Sequence, residues 1–162
     1  MTATIGSVIT QQVIGLINGS KGVNSRLAVL DALGGALNAS QVRAQNVAPD
    51  IADRSNAMQF PAVNVYCEKV VNSLAEKFRT FSGIAQMAIE LRHSQDRLEG
   101  LQDALEKYAD AIMQVLNANR GDWGHGLFFA GEYQAAFGAV KHGGKNFIQA
   151  AKITFEIGVS RN

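Results

Sequence analysis

The residues best suited to proton-transfer chemistry lie together in a glycine-rich stretch, at Asp122, Trp123 and His125. A carboxylate near a histidine can tune the imidazole for general acid–base work close to neutral pH. No nucleophile is spaced to join them, however, and a tryptophan in such a loop more often fills space between packed elements. We therefore predict no catalytic residues and a protein that is not an enzyme.

Metal ligation and phosphate binding are not indicated by the spacing of the polar residues. The histidines are far apart in sequence, and none has metal-ligand spacing with another histidine or with a cysteine. Neither glycine-rich stretch, 15–22 or 121–126, has the spacing of a phosphate loop or a dinucleotide fingerprint. We predict no metal site and no cofactor, and the sequence identifies no binding residues. The three histidines are His93, His125 and His142.

A short basic stretch formed by Lys141, His142 and Lys145 has two explanations. Two glycines lie between its cations, which predicts a turn between two strands. The simpler explanation is that the basic side chains are solvated at the tip of this turn. The alternative is that they contact phosphate or an acidic surface of a partner.

The composition indicates one globular, weakly charged domain. The chain has 162 residues, of which 47% are hydrophobic and 18% charged, and its formal net charge is +1. That length is enough to bury about 70% of the unfolded surface. Near-neutral charge argues against a protein whose main task is to grip nucleic acid, because phosphate binding needs a basic excess.

Cysteine content and hydropathy indicate whether the chain could form disulfides or cross a membrane. Cys67 is the only cysteine, so no intramolecular disulfide can form, and its place in an alternating strand predicts an inert core thiol. The sequence contains no run of about 18 apolar residues, so we predict no membrane-spanning helix. The N-terminus also lacks the basic and apolar pattern of a signal peptide. We expect no membrane partner.

The centre of the predicted fold is a strand followed directly by a long helix. Alternation over 84–92 predicts a strand buried mainly on one face. Residues 95–118 have helical periodicity, with Ser94 as the N-cap and Gly121 as the C-terminal stop. We expect this helix to lie on a sheet that contains 84–92 and 147–159. Its contact residues would be Leu98, Leu101, Leu105, Tyr108 and Ile112.

The first 59 residues predict a helical extension and a connecting strap. A helix is expected over 5–18, with Ser7 as a cap, and a second one starting at Ser25. The apolar residues of the second helix are Leu27, Leu30, Leu33 and Leu37. Both apolar stripes need a partner, which is either the main sheet or a neighbouring subunit. Residues 38–60 show no periodicity and predict an extended strap.

The remaining segments, in residues 60–162, complete an α+β domain. Strands are predicted over 62–67 and 133–139. Residues 68–82 fit either a short helix or a projecting hairpin. The order of elements predicts an antiparallel or mixed β-sheet with a long helix packed on one face, preceded by the N-terminal helical extension.

That order resembles the tail terminator proteins of long-tailed bacteriophages. The resemblance rests on a strand that opens FPAVNVY (60–66), a strand MAIEL (87–91), a long helix over 95–118, and a closing hairpin that ends ITFEI (153–157). It covers residues 60–160, and it is a pattern of elements without a catalytic motif. The two helices of residues 1–59 are a departure from the compact members of that family.

The resemblance implies a structural protein of the virion, assembled in the host cytoplasm. Such proteins form a homo-oligomeric, typically hexameric, ring on the finished tail tube. The ring stops polymerisation of the tube and offers a joining surface to the head-completion or connector proteins. Its implied partners are therefore the tail tube protein, the head-completion proteins and, in contractile tails, the sheath protein. DNA crosses the channel without sequence-specific binding.

Two other classes of protein remain open at this point. One is a different neck or tail protein, such as a head-closure or tail-tube subunit, because these share small folds of sheet and helix. The other is an α+β enzyme or small-molecule binder whose site is assembled from residues distant in sequence. In a ring, the contact between copies would be made by the elements that have no evident partner in their own chain. These are the two N-terminal helices, 38–60 and 68–82.

Overall fold

The protein has an α+β fold, as the sequence predicts. The computed structural model describes residues 3–30, 36–48, 59–143 and 145–162. Within them, helices pack on a mixed eight-stranded sheet. The elements are α1 (Ile5–Asn18), α2 (Val23–Leu30), β1 (Val42–Arg43), β2 (Ala62–Asn72), β3 (Phe81–Gln95), α3 (Leu101–Ala118), β4 (Gly121–Gly124), β5 (Leu127–Phe129), β6 (Tyr133–Phe137), β7 (Lys141–Gly143) and β8 (Asn146–Arg161).

Strand β8 is the centre of the sheet. It pairs antiparallel with β3 without interruption, from Phe81 opposite Arg161 to Gln95 opposite Phe147. Its other edge is covered in series by β7, β6 and β5, and β4 pairs with β5. Strand β2 pairs antiparallel with β3, while β1 lies parallel to β2, so the sheet is mixed. The prediction that 84–92 and 147–159 share one sheet is confirmed.

One face of the sheet forms the hydrophobic core with α3. The apolar members of the alternating run in β3 point to this face, as do those of β8. Four of the five predicted contact residues of α3 are fully buried: Leu101, Leu105, Tyr108 and Ile112. The 3.6-residue period of the helix therefore predicted its buried face correctly.

The start of α3 differs from the prediction. The helix begins at Leu101, and Ser94 and Gln95 belong to β3, because β3 stays paired with β8 as far as Gln95. The Gln95 side chain then donates to two backbone carbonyls of the following turn, at 2.7 and 2.6 Å. Gly100 is the N-cap, with a φ of +79° that favours glycine. Leu98, placed in this turn, is 57% exposed, so its predicted core contact is wrong.

The end of α3 falls where predicted, but for a different reason. The helix ends at Ala118, and Asn119 is its C-cap, with a backbone N–H that donates to the Leu116 carbonyl at 3.1 Å. Gly121 is not the stop signal. It begins β4 with a φ of +108°.

Helix α1 spans the predicted residues, whereas both predicted N-caps are wrong. Thr4 caps α1, since its Oγ1 accepts a hydrogen bond from the Ser7 backbone N–H at 3.1 Å. Helix α2 begins at Val23, so Ser25 lies inside it, and the Ser25 hydroxyl donates to the Gly22 carbonyl at 2.9 Å. Leu33, which was assigned to the second helix, lies outside the described residues.

The two N-terminal helices contribute to the same core as the sheet. Helix α1 lies against β2 and α2 lies against α3. Of the two partners that the sequence left open for these helices, the structure shows the one within their own chain, so their assignment to a contact between copies loses its basis. Their buried side chains are Ile9, Val13, Ile17, Val23 and Leu27.

The strap and the ambiguous segment are more regular than the sequence predicts. Residues 39–43 form a turn of 3-10 helix and then β1, and the Gln41 amide donates to the Pro61 carbonyl at 2.9 Å. Residues 49–58 of the strap lie outside the described part of the chain. Residues 68–82 adopt the hairpin alternative, with β2 extending to Asn72 and β3 starting at Phe81.

Candidate interaction surface

The cluster with the most enzyme-like residue types serves structural tasks. It forms a β4–β5 hairpin in which Asp122 accepts the Gly124 backbone N–H at 2.7 Å. The Trp123 indole N–H donates to the Asn119 carbonyl at the end of α3, also at 2.7 Å. The indole ring lies against Phe129, as expected of a packing residue. His125 occupies the turn with a φ of +54°.

The other candidate residues are spread over the molecule. His93 packs against Tyr108, and burial lowers its pKa. Cys67 is half-buried on β2, where burial raises the pKa of the thiol and keeps it protonated, in line with the predicted inert thiol. Among the described residues, no three histidine, cysteine or acidic side chains are grouped as metal ligands are. None of the helices described here is long and apolar enough to cross a membrane.

The basic stretch is part of the sheet as well as a turn. Lys141 and His142 lie on β7 and are exposed, and so is Lys145. The His142 ring contacts Phe147 edge-to-face, with 5.3 Å between ring centroids. A contact between these cations and a partner stays a prediction.

A polar layer that the sequence did not reveal covers the sheet face opposite the helices. Tyr66 donates to Glu90 at 2.8 Å, and Arg92 lies 3.6 Å from the same carboxylate. Glu68 forms an ion pair with Lys152 and accepts a hydrogen bond from the Gln86 side-chain amide at 2.9 Å.

This layer links side chains of β2, β3 and β8 across the sheet. Burial and the neighbouring Glu90 raise the pKa of Tyr66, so its hydroxyl stays protonated. Each of the two carboxylates, Glu68 and Glu90, also faces a cation. The sequence shows which of these residues point away from the core, but only the strand register shows that they are neighbours.

The turn between β2 and β3 exposes apolar side chains at the end of the sheet. We call residues 70–80 the hairpin tip. Phe78 is 99% exposed and Leu74 is 64% exposed, and Val70 and Val71 beside them are also exposed. Leu74 and Phe78 have φ values of +51° and +64°, in the left-handed region that costs a residue with a side chain roughly 1–2 kcal/mol.

Hydrogen bonds hold the hairpin tip in this shape. The Asn72 side-chain oxygen accepts the backbone N–H groups of Ser82 and Leu74, at 3.0 and 3.3 Å. The Ser82 hydroxyl accepts the Glu76 backbone N–H at 3.1 Å. The Glu76 carboxylate in turn accepts the Ser160 hydroxyl of β8 at 2.9 Å. The tip is thus tied to the central strand and presents its apolar side chains in a fixed arrangement.

A groove opens on the outer edge of β8, between β6 and β5. Pairing with β6 ends at Phe155, and pairing with β5 resumes at Gly158. The gap forms a cavity of about 640 Å³, which we call the edge groove. Its lining is largely polar, with Tyr133, Phe155 and Ala130 as the apolar side chains. The other lining residues are Gln86, Asn117, Arg120, Gly131, Glu132, Gln134, Thr154 and Glu156.

Sequence comparison matches this chain to no known protein family and to no curated protein. The hairpin tip and the edge groove therefore have to be interpreted from their own chemistry. An exposed, preorganised apolar tip is typical of a surface that contacts another protein, since apolar clusters left in water mark interaction sites.

Proposed function

We propose that this protein is a structural subunit of a bacteriophage tail, which forms a ring on the tail tube and terminates its polymerisation. The observation that carries the proposal is the exposed apolar hairpin tip, which hydrogen bonds of Asn72, Ser82 and Ser160 hold in place. The α+β arrangement of a long helix on a sheet is also the one expected of a tail terminator protein.

The charge of the molecule suits a ring through which DNA passes. A formal net charge of +1 gives the phosphate backbone little to grip, so DNA can move through without being held. The proposed partners are further copies of this chain, the tail tube protein and the head-completion or connector proteins, with the sheath protein added in a contractile tail. The proposed location is the neck of the virion.

Tail length tests this proposal directly. Tails assembled without the protein should continue past their normal length and fail to join heads, and adding the purified full chain should restore both. Electron micrographs of the purified protein should show rings with the symmetry of the tube. Tails of normal length that join heads in the absence of the protein would refute the proposal.

A further inference from the structure

We infer that the hairpin tip of one copy inserts into the edge groove of the next copy, which makes this contact the joint of the ring. The inference rests on the proposed function and names the residues that would carry its self-association. Phe78 is the anchor in the groove, and Lys77 lies against Glu132 and Glu156 at its rim.

Charge favours this pairing of surfaces. Within the tip, Lys77 forms no ion pair among the described residues, whereas Arg79 is paired with Glu76 at 3.5 Å. In the groove, Glu132 and Glu156 form no ion pair among the described residues, and Arg120 is the one cation that lines it with them. With two carboxylates and one cation, the groove is the more acidic surface, and the unpaired Lys77 of the tip is complementary to it. Such complementarity fixes the register of a contact.

The tip cannot fill the groove of its own chain. Gln86 lies in the groove wall, five residues along β3 from Phe81, the residue that directly follows the tip. Five residues of strand span about 17 Å. The bond from Ser160 to Glu76 holds the tip at the end of the sheet, so it does not fold back over this distance. Any tip in the groove must come from another molecule.

Shape and conformation also agree with insertion. A volume of about 640 Å³ has room for a phenyl ring, and Tyr133 and Phe155 supply the apolar part of the lining. Phe78 occupies a backbone position that glycine would adopt at less cost. A large apolar side chain that is both strained and exposed brings the isolated subunit no packing, which indicates that its contacts lie in another molecule.

Because tip and groove are different surfaces of the same chain, their contact is heterologous. Each copy then offers a free tip at one side and a free groove at the other. Repetition of this contact produces a ring if the rotation closes and a filament if it does not.

A charge swap tests the contact. Sedimentation velocity of the full chain, with and without tube protein, measures the mass of the assembly. Lys77→Glu and Glu132→Lys should each raise the protein concentration needed for assembly at least tenfold. The double variant should assemble at a concentration close to that of the wild type. Lys21→Glu, a matched change at an exposed site away from both surfaces, should leave the mass unchanged.

The anchor is tested separately from folding. Phe78→Gly should abolish assembly. Below the assembly concentration of the wild type, where association adds no stability, the variant should keep or raise the melting temperature, because glycine relieves the left-handed conformation. Val29→Ser, which removes another exposed apolar side chain, should leave assembly intact. A melting temperature several degrees lower in Phe78→Gly, measured below the assembly concentration, would show that the ring of Phe78 stabilises its own subunit and would overturn the inference.

The outcomes separate this contact from the proposed function. A ring whose mass is unchanged in the tip and groove variants overturns the contact and leaves tail termination standing. A protein that stays monomeric at high concentration, even with tube present, overturns the contact and the ring together. If the charge swap changes the mass of the ring as expected, but tails reach normal length and join heads without the protein, the contact is supported and the proposed function is refuted.

Discussion

The N-terminal helices and the hairpin tip both carry apolar residues that the sequence leaves without a partner, yet they differ in burial. Ile9 and Val13 of α1 are buried in the core, whereas Leu74 and Phe78 of the tip are exposed. The difference lies in the backbone. Apolar residues at helical spacing form a stripe that can cover a sheet, while those in a hydrogen-bonded turn point outward whatever their hydrophobicity.

Deletion of residues 1–30 should give the largest effect that distinguishes the two regions. It removes five buried apolar side chains, each worth about 1.5–3 kcal/mol, from a domain whose total stability is on the order of 5–15 kcal/mol. We expect loss of cooperative unfolding in a thermal scan by circular dichroism. The control replaces residues 74–79 of the tip by Asn-Gly, which should retain cooperative melting. A truncated chain that melts like the intact one would show that the helices are dispensable.

Leu105→Asp should be the most destabilising single change, because it buries an unpaired charge between α3 and the sheet. The expected loss is about 4 kcal/mol or more, measured by urea unfolding. Leu98→Asp is the matched control, since Leu98 is exposed and its replacement should stay within about 0.5 kcal/mol. Equal losses in the two variants would contradict the observed start of α3.

Ile9→Ala and Phe78→Ala compare the two regions side by side. Ile9 is fully buried, so its truncation should cost about 2–5 kcal/mol of unfolding free energy. Phe78→Ala should change the unfolding free energy of the monomer by about 0.5 kcal/mol or less. Measurement below the assembly concentration is needed, because association adds stability to the wild type. Similar losses at both sites would mean that Phe78 packs within its own subunit.

Trp123→Phe should cost about 1 kcal/mol. The phenyl ring retains much of the contact with Phe129 but lacks the N–H that binds the Asn119 carbonyl at the end of α3. Trp123→Leu, which removes the aromatic contact as well, should cost more. A Phe variant as stable as the wild type would show that this bond contributes nothing to the helix end.

The smallest effect concerns pH. Burial lowers the folded pKa of His93, so the unfolded chain binds a proton more readily. Its contribution to stability is therefore complete above pH of about 6.5 and is lost as the pH falls below that value toward the folded pKa. His93→Gln should flatten the dependence of the unfolding free energy on pH in this window. An unchanged slope would assign the pH dependence to other groups.

The regular elements could be predicted because their period depends on local sequence. Alternation identified β3 and β8, and helical spacing identified the bounds of α1 and the buried face of α3. The start of α3 could not be predicted, because pairing with β8 extends β3 through Ser94 and Gln95. The boundary depends on β8, which is far away in sequence, and strand pairing there prevents Ser94 from acting as an N-cap.

The candidate surface was predicted only in outline. The sequence allowed a projecting hairpin over 68–82, but it did not show that Leu74 and Phe78 adopt left-handed conformations, which depend on the side chains of Asn72 and Ser82. The edge groove could not be predicted either. It arises where β8 changes partners between β6 and β5, and this depends on the register of three strands.

The position of β8 has a consequence for synthesis. This strand pairs with β3, β5, β6 and β7, and it follows all of them along the chain. While the ribosome makes the residues between β3 and β8, the β2–β3 hairpin can form. The edge of β3 that later pairs with β8 is unpaired during this time. During that interval the apolar row of Met87, Ile89 and Leu91 is open to wrong pairing with other nascent chains. Slow translation before residue 146 should therefore lower the yield of soluble protein, and chaperones that shield unpaired strands should restore it.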